Sequence, residues 1–364
     1  KKYPQRKRMN FHELLHTMVR KDASDLFLRI GARPSARIYG KIERIYDEVV
    51  SADHMIGFSN LLLAMEERRR IFREKQNLDF TYTLPELGRF RINMFIQRGT
   101  PVIVVRYVCK DSHSFEGLNL PAEVLKQFCS ESRGMFLACG PAGNGKSTCI
   151  ASMIDYINAS FPKHIITIED PVEFLFKDKL SLINQREMGL DVPDFSSALK
   201  HVTQQSPDVI YIANIRDEET MRAAIWATEL GTFMISTLHT INAVQTIMRI
   251  INFFPPHQRE ETRAQLAEIL KGIICLRLVP RKDGKGRIPA YETMVVTPTI
   301  AALIREGRIK EIQHYIDEGT MFGMQSFHQS LVKLVKAGHV DEPTARQYAD
   351  SKAEFDLAMK GISI

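Results

Sequence analysis

Hydrophobic and polar residues alternate along the first part of the chain in patterns typical of a small mixed domain. Apolar residues recur at helical spacing over Phe11–Val19, and Ser24–Ile30 alternates polar and apolar positions as a half-buried strand does. These patterns predict an α+β domain over residues 1–112. Its other expected elements are a hairpin partner at Arg37–Ile42, a helix at His54–Gln76 and strands within Asp79–Val108.

The pattern changes after a polar stretch at 113–119, which we expect to be a linker. From there on, apolar strands alternate with helices, an order typical of a parallel sheet covered by helices. The sequence therefore predicts an α/β fold in which a larger domain, residues 120–364, follows the smaller one and ends in helices. The strands expected in it are Met135–Cys139, His164–Ile168, Val209–Ala213, Phe233–Leu238 and Ala290–Val296.

The amino-acid composition indicates the general class of protein but not its function. The chain has 364 residues, 44% of them hydrophobic and 25% charged, as expected of a soluble globular protein with more than one domain. No apolar run approaches the ~18 residues of a membrane span. The five cysteines form no C-x-x-C pair, so neither a zinc ribbon nor a disulfide framework is predicted. The net charge of +6 permits an acidic partner but selects none.

The most specific motif is a glycine-rich loop of the form G-x-x-x-x-G-K-[ST] between a predicted strand and a predicted helix. Backbone N–H groups of such a loop approach a polyphosphate, and the helix N-terminus adds a fixed positive end. Lys146 is expected to reach the β- and γ-phosphates of ATP, and Ser147 to place its hydroxyl on Mg²⁺. The expected nucleotide-binding residues of the loop are Gly140, Pro141, Ala142, Gly143, Asn144, Gly145, Lys146, Ser147 and Thr148.

An acidic segment follows the next predicted strand. Thr167–Glu173 carries Glu169 and Asp170 where ligands bind in open α/β sheets, at the carboxyl ends of the strands. Carboxylates there can hold Mg²⁺ or orient an attacking water. A surface turn would be the alternative if the segment stood alone. Beside a phosphate-binding loop, we predict that Glu169 is catalytic and that Glu169, Asp170 and Ser147 form the metal site.

Two further strand ends carry candidate catalytic residues. Asn214 follows the strand Val209–Ala213, at a place where many nucleotide hydrolases have a carboxylate that activates water. An amide cannot accept a proton, although it can position water, and it could instead cap the next turn. His239, in Ser236–Thr240, could sense a γ-phosphate, contact a neighbouring subunit or be merely structural.

Arginines on the predicted strands of the first domain could reach a nucleotide bound by a neighbouring subunit. Ring-forming ATPases often place nucleotide between subunits, although most exposed arginines have no such role. The candidates are Arg89, Arg91, Arg98 and Arg106.

With these motifs, the chain resembles the type IV pilus retraction ATPases, the PilT/PilU family of secretion-type ATPases. The resemblance runs from about Met9 to about Asp350 and rests on the glycine loop, Thr167–Glu173, Pro207–Asp217 and Thr237–Thr240. Further matches are Ala23–Leu26, Arg89–Asn93, Gly323–Phe327 and, closer to the PilU branch, Ile250–Pro255.

The resemblance implies a PAS-like first domain, a RecA-like ATPase domain and a homo-hexamer that uses ATP and Mg²⁺. It implies retraction of a pilus through an inner-membrane platform protein, by a protein at the cytoplasmic face that is only peripheral to the membrane. The chain departs from the family at Asn214, where a glutamate is expected, at Gln204, where an arginine is usual, and at Phe27.

These departures leave two main hypotheses. The chain is either a retraction motor or a weakly hydrolysing accessory subunit that works beside an active retraction paralogue. The intact loop and Glu169 favour the first, whereas Asn214 and Gln204 favour the second. A DNA-handling RecA-like ATPase ranks below both, because no basic stripe with interleaved aromatics is present, and we expect no nucleic-acid partner.

Overall fold

The computed structural model describes residues 9–108 and 114–361. The chain divides into two compact units, Lys1–Asp111 and Ser112–Ile364. The predicted boundary at 112 and the start of the predicted linker 113–119 lie outside the described residues. Among the described helices, none is long and apolar enough to cross a bilayer.

The first unit is an antiparallel sheet packed against helices. On its strand Gly88–Gln97, Phe90, Ile92 and Met94 are buried against the helices, and the intervening side chains lie on the other face. The elements are α1 (Phe11–Arg20), β1 (Ala23–Arg29), β2 (Ser35–Ile38), β3 (Lys41–Arg44), α2 (Ala52–Leu62), α3 (Glu66–Lys75), β4 (Asn77–Leu84), β5 (Gly88–Gln97) and β6 (Thr100–Val108). The sheet has six strands in the order β3-β2-β1-β6-β5-β4.

Two details of this unit differ from the sequence prediction. The stretch Arg37–Ile42 begins in β2, which pairs with β1 as predicted, with Arg37 opposite Asp25. It is not one strand, because Tyr39 and Gly40 adopt left-handed φ values of 46° and 86° and turn the chain into β3. The single helix predicted at His54–Gln76 is two helices, α2 and α3. Acidic residues occupy the first turn of α3, where the helix dipole favours them, so a new helix starts there.

The second unit is built on a seven-stranded sheet. Its strands are β7 (Gly134–Cys139), β8 (His164–Glu169), β9 (Leu182–Glu187), β10 (Val209–Ile212), β11 (Phe233–Leu238), β12 (Leu270–Pro280) and β13 (Arg287–Val295). They lie in the order β13-β12-β7-β11-β10-β8-β9, and all neighbouring strands are parallel except β13, which runs antiparallel to β12.

Helices cover both faces of this sheet. Strands β7, β10 and β11 are therefore buried along their whole length and consist of apolar or small residues. The helices are α4 (Ala122–Cys129), α5 (Lys146–Ser160), α6 (Phe195–Val202), α7 (Glu218–Glu229), α8 (Ala243–Phe253), α9 (Arg259–Ile269), α10 (Pro298–Glu306), α11 (Ile312–Glu318), α12 (Phe327–Lys336), α13 (Glu342–Tyr348) and α14 (Lys352–Met359).

This architecture confirms the predicted α/β fold class, with a smaller α+β unit before a larger one. The sequence prediction did not include β9, at one edge of the sheet, or β12, which lies between β13 and β7. In the sheet, β7 lies between β11 and β12, and β10 lies between β11 and β8. The carboxyl ends of these parallel strands meet at one edge, where the candidate residues lie.

Candidate functional site

The glycine-rich loop joins the end of β7 to the start of α5. Gly140, Gly143 and Gly145 adopt φ values of 141°, 74° and 87°, a region that L side chains rarely enter. A Cβ on Gly140 would lie 2.4 Å from the carbonyl oxygen of Leu276 on β12. The loop therefore needs glycine both for its backbone angles and for its close approach to the neighbouring strand.

Asn144 holds the loop against β12. Its Oδ1 accepts a 2.8 Å hydrogen bond from the N–H of Leu278, which lies beyond the last residue paired with β7. Its Nδ2 is 3.4 Å from the carbonyls of Pro141 and Ala142 within the loop itself. The Asn144 side chain thus connects the first residues of the loop to strand β12.

Lys146 is the buried cation of the site. Its side chain is 7% exposed, and Nζ donates to the carbonyls of Gly140 at 2.7 Å and Pro141 at 3.0 Å. Burial lowers the pKa of Lys146, and the negative charge of Glu173 acts in the opposite direction. The next residues, Ser147 and Thr148, are partly exposed in the first turn of α5, as phosphate and metal binding requires.

Glu169 ends β8 with a buried carboxylate that has partners within the protein. Oε1 accepts from Thr167 at 2.6 Å and from Gln185 at 3.1 Å, and Oε2 accepts from the Glu173 N–H at 3.4 Å. Burial raises the pKa of Glu169 to about 7, although these hydrogen bonds act to lower it. The carboxylate can therefore gain or lose a proton near neutral pH.

Asn214 lies directly after β10 in a left-handed conformation, with φ of 65°. Its N–H donates to Thr237 Oγ1 at 2.9 Å, which fixes the backbone. With its amide oriented to satisfy both neighbours, Oδ1 accepts from Arg216 at 2.9 Å and Nδ2 donates to His239 Nε2 at 3.3 Å. Asparagine is among the few non-glycine residues that adopt this backbone readily.

His239 follows β11 and lies beside the loop. Its Nδ1 is 3.4 Å from Nζ of Lys146. Partial burial, followed by the positive charges of Lys146 and Arg216, lowers the pKa of His239, while a hydrogen bond to the Gly140 carbonyl acts in the opposite direction. The ring is therefore predominantly neutral at pH 7.

The structure brings Lys146, Asn214 and His239 close together, with the Asn214 amide hydrogen-bonded to His239 Nε2 and Nζ of Lys146 3.4 Å from Nδ1 of the ring. Of the predicted metal residues, Asp170 has its Oδ2 3.9 Å from Arg216. Within the described residues, no group of three or more His, Cys, Asp or Glu side chains is arranged to hold a metal ion. The sequence prediction did not include Glu173 and Arg216 among the site residues, although both lie within quoted motifs.

Arginines predicted to reach a nucleotide in trans lie in the first unit. Arg91 Nε donates to Asp79 at 3.0 Å, and Arg106 Nε donates to Asp25 at 2.9 Å. Arg98 lies in the turn between β5 and β6, with φ of 50°. Their role towards a nucleotide stays a prediction.

A cavity of about 480 Å³ lies on the other side of the loop and was missed by sequence reasoning. Its walls combine loop residues, including Thr148, with apolar Leu276 and Leu278 of β12 and with Arg281 and Arg287 of the hairpin after it. This size and mixed lining are typical of small-molecule sites. The cavity adjoins the first turn of α5, so it can accept the nucleoside part of a ligand whose phosphates lie on the loop.

The chain is similar to known proteins over most of its length. The family model for the type II/IV secretion system protein matches residues 6–284. The type IV pilus ATPase PilU of Pseudomonas aeruginosa is 37% identical over 97% of this chain and 92% of PilU. The type IV pilus retraction ATPase PilT of the same organism is 36% identical over 95% of this chain and 100% of PilT.

Solved structures of secretion-type ATPases have the same fold as this chain. The crystal structure of the pilus retraction motor PilT with bound ADP matches with a TM-score of 0.86 and 38% identity, covering 95% of this chain and 98% of that one. The ATPase DotB of Legionella pneumophila, at 22% identity and a TM-score of 0.82 over 95% of this chain and 97% of its own, shares the fold. The chain therefore belongs to the type II/IV secretion system protein family, among the type IV pilus ATPases PilT and PilU.

Proposed function

We propose that this protein is an ATP-hydrolysing motor subunit that drives retraction of a type IV pilus. The observation that carries the proposal is the glycine loop with its buried Lys146, in a chain 36–38% identical to PilT proteins over nearly its whole length. The loop supplies the phosphate site, the adjoining cavity suits a nucleoside, and the strand ends supply groups that can orient water.

The residues at the strand ends fit Mg²⁺. This ion prefers oxygen ligands and usually binds through one or two carboxylates together with substrate phosphates. Ser147, Glu169 and Asp170 would supply oxygen ligands directly or through water, and the bound ion would neutralise charge that develops on the phosphates. Lys146 would bind the phosphates themselves, which requires that its Nζ exchange the loop carbonyls for phosphate oxygens.

A second candidate function is a slow accessory subunit beside an active retraction paralogue, and the geometry of Asn214 favours it. Its amide is engaged with Arg216 and His239 and cannot accept a proton. Glu169 is the alternative base, but its Oε1 accepts hydrogen bonds from Thr167 and Gln185, and its Oε2 accepts one from the Glu173 N–H. ATP binding would then be intact and hydrolysis slow.

The assembly follows from the same family membership. We propose a homo-hexamer at the cytoplasmic face of the inner membrane that acts on a pilus platform protein, without a nucleic-acid partner. Arg91 and Arg106 would have to exchange their carboxylate partners for phosphate to act in trans.

Replacing Lys146 by alanine tests the phosphate site. Lys146→Ala is expected to abolish measurable ATP binding, because no other side chain of the loop carries a positive charge. Isothermal titration with ATP and Mg²⁺ measures the loss. Lys200→Ala, which removes an exposed lysine 3.6 Å from Glu219, is the control and should bind ATP normally. Equal affinity in both variants would disprove the assignment of the loop.

Replacing Asn214 by glutamate tests the missing base. Asn214→Glu is expected to raise kcat by at least ~10-fold, since a positioned general base typically contributes ~10²–10⁴-fold. The control is Asn214→Gln, which has the same length and the same backbone strain but cannot take a proton. Steady-state hydrolysis at saturating ATP measures both. A flat kcat in the glutamate variant, or an equal rise with glutamine, would remove position 214 as the cause of slow turnover.

The pH dependence of turnover tests Glu169. Because the pKa of Glu169 is raised to about 7, its carboxyl is neutral below that pH and charged above it. If the carboxylate orients water or metal, kcat/KM should rise between pH 6 and 8 with a midpoint near 7. Glu169→Gln should lower kcat/KM and abolish this rise, whereas the more exposed Glu173→Gln should keep it. A rise that persists in Glu169→Gln must come from another group.

A further inference from the structure

The side chain of Asn214 connects a fixed cation to a histidine. Arg216 can only donate hydrogen bonds, so the side of the amide that faces it must be Oδ1. Nη2 and Nε of the guanidinium lie 2.9 and 2.5 Å from that oxygen. The Nδ2 group then faces His239 Nε2 at 3.3 Å and donates to it. Arg216 thus fixes which end of the amide is the oxygen, and this places the Nδ2 donor against the histidine.

An imidazole that accepts at Nε2 must carry its proton on Nδ1 if it is neutral. Nδ1 lies 3.4 Å from Nζ of Lys146. Because a lysine ammonium can only donate, that contact is not a hydrogen bond when Nδ1 carries the proton. The ring therefore lies between the end of β10, which carries Asn214, and the cation of the glycine loop.

We propose that Asn214 is a positioning residue that holds His239 as a neutral imidazole, with Nε2 accepting from the Asn214 amide and the proton on Nδ1. The inference rests on the proposed nucleotide site and extends it. Residue 214 acts on the phosphate-binding loop through the histidine and does not itself need to touch the reacting atoms.

The charges around the ring favour the neutral form. Lys146 from α5 and Arg216 from the loop before α7 both face His239, and partial burial together with their positive charges lowers its pKa. Asp170 lies 3.9 Å from Arg216 and partly balances that cation. A third positive charge on His239 would be repelled by both neighbours.

A carboxylate at position 214 would reverse this arrangement. It could only accept, so it would require a proton on Nε2, and its negative charge would stabilise the imidazolium. The chemical identity of residue 214 therefore decides whether His239 presents a neutral or a positively charged ring beside Lys146. Asn214→Asp makes this change with little backbone cost, because aspartate also tolerates the left-handed conformation.

Histidine hydrogen–deuterium exchange with mass spectrometry measures the pKa of His239 in the nucleotide-free full chain. We expect a midpoint below the ordinary value of about 6.5 in the natural protein and a rise of at least ~1 pH unit in Asn214→Asp, the low end of what an adjacent opposite charge gives. Asn214→Leu, which supplies neither donor nor charge, should not show the rise. His164, bonded to Asn184 at 2.8 Å, is the internal control and should be constant.

A second measurement tests the tautomer directly. Solid-state NMR of ring-labelled histidine, with His239→Gln for assignment, should show the Nδ1–H form in the natural protein and an Nε2-protonated ring in Asn214→Asp. An Nε2–H ring in the natural protein would mean that Lys146 donates to Nδ1, and it would overturn the proposal. So would an unchanged pKa in Asn214→Asp. Neither measurement needs hydrolysis, so a failure of the proposed ATPase function would be separately visible.

Discussion

The site depends on one buried cation. Lys146 is almost fully removed from solvent, and a buried charge is tolerated only if polar groups replace its water. The carbonyls of Gly140 and Pro141 replace that water, at 2.7 and 3.0 Å from Nζ. The loop presents them because its glycines adopt positive φ values, which other residues rarely adopt. The fold of the loop and the position of the charge therefore stabilise each other.

The surrounding strands are arranged around this cation. β12 supports the loop from one side through the bond between Leu278 and Asn144, and β11 brings His239 to the other side. Because β10 lies next to β11, Asn214 falls within reach of the histidine. The parallel order of the sheet thus brings residues from separate sequence motifs together, because the carboxyl ends of adjacent parallel strands lie at the same edge.

The sequence predicted what depends on local pattern. The glycine loop, the α/β class and the strands on both sides of the loop could be identified because their signals lie within short stretches. Contacts between residues far apart in the sequence could not be predicted. Asn144 and Leu278 are 134 residues apart, and no sequence pattern indicates that they are in contact. Glu173 and Arg216 lie within recognised motifs, but their effect on Lys146 and His239 depends on how the strand ends meet in three dimensions.

The motor and the slow accessory subunit differ in the rate of the chemical step, and we propose that this step is slow because Asn214 cannot accept a proton from water. Rapid-quench measurement of ADP formation, with a high enzyme concentration and ATP in several-fold excess, separates chemistry from product release. We expect no burst, because the chemical step itself limits turnover. A burst of one ADP per bound site followed by a slower steady rate would show fast chemistry and slow release, and it would contradict the claim.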